Sequence, residues 1–573
     1  MTIANILELK RLALRNLGRH KVKTALTIAA VSISVGLYIA ADGWLAGINI
    51  DSLRNIANFE MGAAKLQTKA YFDKKGELPM YESFAGWEQS AAALSRAGYD
   101  SAPRFVFTGT IYTEAASAPM QFIGCEPAAE ERVLRYAQYI ESGRFIRNGA
   151  FEIALGAVTA DKLKVGIPQR PRWDELEEIL NGLPQEERGF VRGLYEKAPV
   201  KSGGLFAPAE AAPARPGEER WVLKKNIPPE ELARCWNLLA ETGRMNVRLS
   251  TVIDIKATPE SVRKEKYDVD LAPALSAEEL ALFHRAYEFD ELTEAWYLTS
   301  EDEALQAEVL AAMIRSDYAG AVRHVNQLIS AVVAGVVNSP NPMTNNNIAW
   351  IPLDVLQDEA GLMLEGRVTE LLIRARNADD AKVPGADERP AAIKAAIAGA
   401  AYTLPPEQDI YSWEAYAADY LSASRGDNIT TQVMILVLFV LSFMGIANTM
   451  LLAILERTRE TGMMRAMGMT DSQLIGVYMM EAGMVGFFGS LIGIALGCLI
   501  NIPMVKYGID FTAMTESMGG DIGYRVTGVF RSAWNVPMIA GAGFAATILA
   551  SCMAFFPTRR ALKMPITESM RFE

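Results

Sequence analysis

Residues 448–468 read NTMLLAILERTRETGMMRAMG, a long apolar helix that runs into a dense mixed-charge cap. The cap holds Glu456, Arg457, Arg459 and Glu460, and Arg465 follows in the next turn. An ordinary solvated helix end with snorkelling arginines has this texture. So does a short helix whose fixed charges dock on a soluble partner. The apolar run before the cap, Ile429–Leu455, is one of four windows free of charge. The others are Thr24–Ala41, Ala482–Val505 and Ser532–Thr558, each of the length that a hydrocarbon core of about 30 Å demands of a helix. One span is therefore N-terminal and three are C-terminal.

Short basic flanks set the orientation, because long translocated domains do not count. Lys10, Arg11, Arg15, Arg19, Lys21 and Lys23 precede the first span, Arg457, Arg459 and Arg465 lie between the second and third, and Arg559, Arg560, Lys563 and Arg571 follow the fourth. These flanks share one side, which is read as the cytoplasm. Residues 47–428 then lie outside, with 40 Lys/Arg against 57 Asp/Glu, in keeping with an acidic outside and a basic inside. A secretory signal peptide is an alternative for the first span. Residues 1–23 carry an amphipathic helix pattern far longer than a usual signal n-region, so the span is read as a retained anchor, its leading helix lying along an anionic leaflet.

The 573 residues are 50% hydrophobic and 22% charged with a net charge of -12, which excludes a disordered chain or one that wraps nucleic acid. Three His and four Cys leave little for a catalytic metal cluster or a disulfide scaffold. The expected fold class is an α-helical membrane protein with four transmembrane helices (one plus three) and a large extracytoplasmic α+β domain carrying a mainly helical insertion. The expected parts are a cytoplasmic amphipathic helix 1–23, spans 24–46, 429–455, 474–502 and 534–556, outer halves 47–168 and 325–428, and the insertion 169–324. A coupling segment 456–473, an outer loop 503–533 and a tail 557–573 complete the chain.

Within the outer domain, residues 48–70 read as a continuation of the first helix. Arg104–Tyr112, Met120–Gly124, Phe151–Leu155, Ala349–Ile351 and Val368–Arg376 alternate as strands, and Ala157–Leu163 as a short helix. In the insertion, Trp173–Leu183, Glu230–Glu241 after Pro228-Pro229, and Ala277–Phe289 read as helices. Residues 198–220, with Pro199, Pro208, Pro213 and Pro216, read as a mobile loop.

Gly489, Gly493 and Gly497 repeat at the spacing that lets membrane helices approach closely, within one chain or between two. Glu481 sits near the start of the same span, where a charge needs the interface or a partner, so a structural ion pair is expected. Cys125 and Cys235 are both outside and available for oxidation, whereas Cys498 and Cys552 are intramembrane packing residues. No phosphate-binding loop, zinc-protease helix or nucleophile elbow is found. The expectation is a chain without catalytic residues, metal or cofactor of its own.

The one-plus-three arrangement with this charged connector resembles the permease family of FtsX, MacB and the lipoprotein-releasing LolC and LolE. Three stretches carry the likeness: Ala13–Arg19 with Lys23–Thr27; Asn448–Gly468 with Glu481-Ala482 and the glycine ladder; and Pro557–Ala561 with Pro565–Glu568. Weaker echoes are Gly124–Pro127, Gly143–Phe145, Ala154–Gly156 with Asp161–Leu163, and Trp350–Leu353. The block 169–324 has no counterpart in that pattern.

The resemblance implies a cell inner-membrane protein, multi-pass, acting as a dimer with a second copy or a paralogue. It implies a separate cytoplasmic ABC ATPase pair, holding ATP and magnesium, that docks on Glu456, Arg457, Arg459, Glu460 and Arg465. Nucleotide-driven closure would move the second span and the extension of the first as levers on the outer domain. Extraction of lipoproteins toward a periplasmic carrier is the leading task. Export of a drug or peptide, control of a cell-wall hydrolase, or a scaffold that uses no ATP are the alternatives. A lipoprotein extractor should show apolar surface to acyl chains around Trp44–Ile56 and Met434–Leu441.

Overall fold

The computed structural model describes residues 21–134, 136–199, 219–316, 318–358, 366–511 and 524–565. The amphipathic helix expected over residues 1–23 therefore lies, up to residue 20, outside the described residues. The chain divides into two compact units, one of residues 1–53, 417–512 and 528–573, the other of residues 54–416 and 513–527.

The first unit is helical. Its elements are α1 (Lys21–Asn55), α2 (Ala418–Glu456), α3 (Thr458–Ala466), α4 (Asp471–Lys506) and α5 (Val536–Ala561). Local chemistry sets the boundaries. Gly468 takes φ +98° to turn the chain after α3, and Thr470 opens α4 through a reciprocal capping box with Gln473. Residues Thr24–Met61, α4 and α5 are long and apolar enough to cross a membrane by length and composition. The expected second span lies on α2, some of whose side chains fall outside the described residues. Val31, Val35 and Ile39 of α1, Phe439 and Phe443 of α2, Ala482 and Val485 of α4, and Ala546 and Ala550 of α5 form one core.

The second unit is built on a ten-stranded sheet. Its strands are β1 (Ala64–Thr68), β2 (Tyr99–Tyr112), β3 (Ser117–Cys125), β4 (Ile140–Gly143), β5 (Glu152–Gly156), β6 (Asn246–Lys256), β7 (Val322–Val337), β8 (Ile348–Pro352), β9 (Glu370–Ala375) and β10 (Gln408–Ser412). They run in the order β10-β1-β9-β2-β3-β8-β5-β7-β4, with β6 pairing both β7 and β2. The pairings β2–β3, β3–β8, β8–β5, β5–β7, β7–β6 and β6–β2 close on themselves as a ring. Successive residues serve opposite faces: Phe122, Leu155 and Ile351 enter one core, and Ile123, Ala154 and Trp350 the other. Burial on both faces explains why these strands read as nearly continuous apolar runs.

Three expectations are corrected. Helix does not continue through residue 70: α1 passes into a π-helical turn, Ile56–Met61, and the chain becomes strand β1, where pairing with β9 and β10 outweighs helical propensity. The helix expected to run to Phe289 ends at Ala286, and Tyr287–Asp290 pairs with Ala295–Leu298 as a hairpin. The block 169–324, though richer in helix than in strand, is not a separate helical insertion. Trp173–Gly182, Gln185–Gly193, Pro229–Glu241 and Glu303–Arg315 are helices, but β6 closes the ring, and β7 runs straight through the expected boundary at 324. The proline-rich stretch is bracketed by paired strands, Tyr195–Pro199 and Glu219–Leu223, while residues 200–218 lie outside the described residues.

What stands apart from the ring is a satellite between Lys256 and Val322, which face each other across the β6–β7 ladder. It has its own core of Val262, Leu271, Phe283, Tyr287, Val309 and Met313. Ser276 caps its helix Ala277–Ala286 with Glu279 in a reciprocal box, and Arg315 Nε reaches Glu279 at 3.1 Å. The Ser276 backbone N–H, then Arg315, hold the Glu279 carboxyl down at about 2. A depressed acid stabilises above its unfolded value and loses that contribution as pH falls. Exchange protection in residues 277–286 is thus expected to fall between about pH 4.5 and 2, and Glu279→Gln should flatten that fall, followed by amide hydrogen exchange.

Candidate functional site

The charged connector is an anchored frame with one open face. α2 ends at Glu456, Arg457 leaves helical geometry, and α3 begins at Thr458. Arg457 turns inward: its Nη1 lies 3.4 Å from both Glu481 oxygens on α4, with both side chains buried. Thr461 and Tyr478 hydroxyls meet at 2.8 Å across the same two helices. Arg465 donates to the Met564 carbonyl at 2.8 Å and pairs with Asp471 at 3.0 Å. The pairing expected for Glu481 is thus found, and its partner is one of the arginines expected to dock. Glu456 and Arg459 are exposed, Glu460 is half-buried, and Met463 (44% exposed) and Met467 (81%) share the open side of α3. Sequence reasoning missed these methionines; their i, i+4 spacing on a charged helix was the available signal.

The glycine ladder packs within the chain. A Cβ at Gly489 would lie 2.7 Å from Val31 Cβ, at Gly493 2.7 Å from Val35 Cβ, and at Gly497 2.9 Å from Ile39 Cβ. Ser32 Oγ also donates to the Gly489 carbonyl at 3.0 Å, a contact that only close backbones allow. On the other side of α4, a Cβ at Gly486 would fall 2.6 Å from Ala550 Cβ of α5. Gly493→Leu is expected to drive α1 from α4 and destabilise the helical unit by about 1–3 kcal/mol or more, read as a lower melting temperature in detergent. Gly541, with open space around its Cβ, should accept Ala without that loss.

Of the surfaces expected to meet acyl chains, Met434, Leu436, Val437 and Leu441 on α2 are exposed. On the other stretch, Ile50 is exposed at 46%, Trp44, Leu45 and Leu53 are half-buried, and Ile48 and Ile56 are buried.

In the second unit, the chain leaving α1 is fastened by buried charge. Lys65 of β1 pairs with Glu370 of β9 at 2.8 Å, and Gln67 Nε2 donates to the same oxygen at 3.0 Å. Arg104 of β2 grips Glu130 through Nε and Nη2, faces Glu370 at 3.6 Å, and donates Nη1 to the Glu60 carbonyl at 3.2 Å. The Tyr136 hydroxyl donates to the Phe59 carbonyl, and Arg525 reaches the Glu60 carboxylate at 3.4 Å. Burial pushes the Lys65 ammonium down, against the pull of Glu370. Isolated charges in apolar strand patterns, Lys65 and Glu370, were the sequence signal for this network.

Among the described residues, no group of three or more His, Cys, Asp or Glu is placed to hold a metal ion. Cys125 and Cys235 are free and buried, in different elements. In the first unit these contacts fix a surface helix to the long helices and pack those against α1; in the second they tie residues 59–67 to the sheet.

Residues 432–566 match the FtsX-like permease C-terminal family model. An uncharacterized ABC transporter permease of Methanocaldococcus jannaschii is 27% identical over 129 residues, 22% of this chain and 29% of that protein. The lipoprotein-releasing system transmembrane protein LolC of Haemophilus influenzae is 23% identical over 168 residues, 29% of this chain and 40% of that protein. The macrolide export ATP-binding/permease protein MacB of Escherichia coli is 25% identical over 185 residues, 31% and 26% of the two chains. The likeness thus spans well under half the length of these relatives. The matched stretch contains α3, α4, α5 and most of α2, the elements that carry the anchored connector and the glycine ladder, so this part of the chain is similar to the C-terminal domain of FtsX-like permeases.

Proposed function

We propose that this protein is the membrane subunit of a mechanotransmitting ABC transporter in a cell inner membrane, working with a separate cytoplasmic ATPase dimer and a second permease copy or paralogue. The observation that carries this reading is the connector: α3 is held from behind by Arg457–Glu481 and Thr461–Tyr478 and offers Glu456, Arg459, Met463 and Met467 outward. Two apolar side chains flanked by an anion and a cation suit a shallow protein groove. ATP and magnesium belong to the partner, and α2 is the fourth crossing, with both termini cytoplasmic and residues 47–428 outside. A nucleotide-dependent bias between two packings then moves α1 and α2, and the ion network at Lys65, Arg104 and Glu370 passes that motion to the sheet.

Extraction of lipoproteins toward a periplasmic carrier is the cargo reading favoured by the open apolar face Met434–Leu441 on α2. Drug or peptide export is the second reading, supported by the relatives named for macrolide export. The test is purification from native membranes in mild detergent with intact mass spectrometry, with and without a non-hydrolysable ATP analogue. Recovery of a small ATPase supports the transporter, and a co-retained triacylated protein selects lipoprotein release over export. Absence of any ATPase under both conditions would point instead to a scaffold or sensor.

A further inference from the structure

Between α4 and α5, both long and apolar enough to cross a membrane, lies a short hairpin in which Ile509–Asp510 pairs with Val529–Phe530. Gly508, at φ +73°, turns the chain out of α4, and a Cβ there would lie 2.5 Å from Val529 Cγ1 and 3.1 Å from Arg531 Cγ. The return strand is tied down. The Ser532 N–H donates to the Met504 carbonyl, in the last turn of α4, at 3.2 Å, and the Ala533 N–H to the Gly43 carbonyl of α1 at 2.8 Å. These contacts bring Arg531 beside the end of α4, which carries Lys506.

The surface so made mixes cations with apolar groups. Lys506 and Arg531 are exposed, and among the described residues neither makes an ion pair. Lys506 Nζ lies 5.1 Å from the centre of the Tyr507 ring. Tyr507 is 68% exposed and Trp534 45%, and Ile509 and Val529 are open as well. The one acid in residues 503–511 and 528–535, Asp510, is already engaged. Tyr and Trp collect at the head-group level of a bilayer, and a cation at that level meets phosphate. If α4 and α5 cross a membrane, this surface lies at that level, because it begins at the last turn of one span and ends at the first turn of the other.

We infer that the hairpin is a head-group site for an anionic phospholipid, with the phosphate between Lys506 and Arg531 and the glycerol backbone against Tyr507 and Trp534. Two cations without a free carboxylate favour a lipid of net negative charge over a zwitterion, whose own ammonium would face them. Through Gly43, Met504 and Ala533, a lipid held there steadies the packing of α1 against α4 and α5 at this end. The inference rests on α4 and α5 crossing a membrane, and on nothing about an ATPase or a cargo.

The test is native mass spectrometry of the full-length protein, delipidated in detergent and titrated with dioleoylphosphatidylglycerol or dioleoylphosphatidylcholine. The parent should retain the phosphatidylglycerol about tenfold better. Lys506→Gln with Arg531→Gln should hold at least one phosphatidylglycerol fewer per chain, its affinity at that site lowered about 10–30-fold, with an unchanged melting temperature. Lys506→Arg with Arg531→Lys should keep the site. Inorganic phosphate should not compete, since it has no apolar part; competition by it would assign the cations to a soluble anion and overturn the inference. Equal retention of the two lipids by the parent, or of phosphatidylglycerol by the parent and the folded double Gln variant, would overturn it too. Carbonate extraction tests the underlying reading by itself: a chain released from membranes by carbonate does not cross them, and the inference falls with that reading.

Discussion

Reversing the charge of Arg457 and of Arg459, one at a time, should give two different failures. Arg457→Glu sets two buried carboxylates against each other where Arg457 Nη1 now lies 3.4 Å from both Glu481 oxygens. Breaking a buried pair by removing one partner costs about 3–5 kcal/mol. The melting temperature of the helical unit should fall, α3 should detach from α4, and any ATPase-linked function should go with it. The reciprocal swap, Arg457→Glu with Glu481→Arg, should recover part of the stability. Arg459→Glu acts on an exposed side chain, so stability should change by no more than about 0.5 kcal/mol while retention of the ATPase drops at least tenfold. Melting curves and quantified co-purification read both effects. Equal loss of stability in the two variants would show that the inward and outward assignments of these arginines are wrong.

The second large effect is expected at Glu370. Its carboxylate answers Lys65 at 2.8 Å and Gln67 at 3.0 Å and faces Arg104 at 3.6 Å, all buried. Arg104 keeps Glu130 if Glu370 is lost, but Lys65 keeps no other carboxylate at ion-pair distance among the described residues. Glu370→Ala should therefore destabilise the sheet unit by about 3–5 kcal/mol. The Lys65 ammonium, already pushed down by burial, has the option of shedding its proton, so raising the pH should return part of the loss in Glu370→Ala. Replacing Lys65 by Met in the same chain should return more. Limited proteolysis of the full-length protein against denaturant measures each step. A Glu370→Ala protein as resistant as the parent would mean that these ions do not hold the strands.

The two units differ in how much of them is visible in sequence. Each membrane helix needs an uncharged run of fixed length, so α1, α4 and α5 can be bounded from hydropathy alone. Strands such as Met120–Gly124 and Ala349–Ile351 show because both faces of the sheet are buried. Strand β6 was hidden because its partners, Val322–Val332 and Thr110–Tyr112, are distant in sequence, and a ring closes only in three dimensions. The same holds for the site. Glu481 announces its need for a cation, but composition cannot say which arginine turns inward. Arg457 sits at the break between α2 and α3 and points into the protein, whereas Arg459, in the first turn of α3, lies on its surface.

If an ATPase docks on α3 as proposed, its nucleotide state should reach residues Arg54–Thr68. The direct measurement is amide hydrogen exchange of residues 54–68 in the complex reconstituted with its ATPase in nanodiscs, with a non-hydrolysable ATP analogue against ADP. A reproducible difference in protection over Arg54–Thr68 that disappears with Arg459→Glu is the expected result. Identical exchange in the two nucleotide states, with the ATPase bound and hydrolysing, would contradict it.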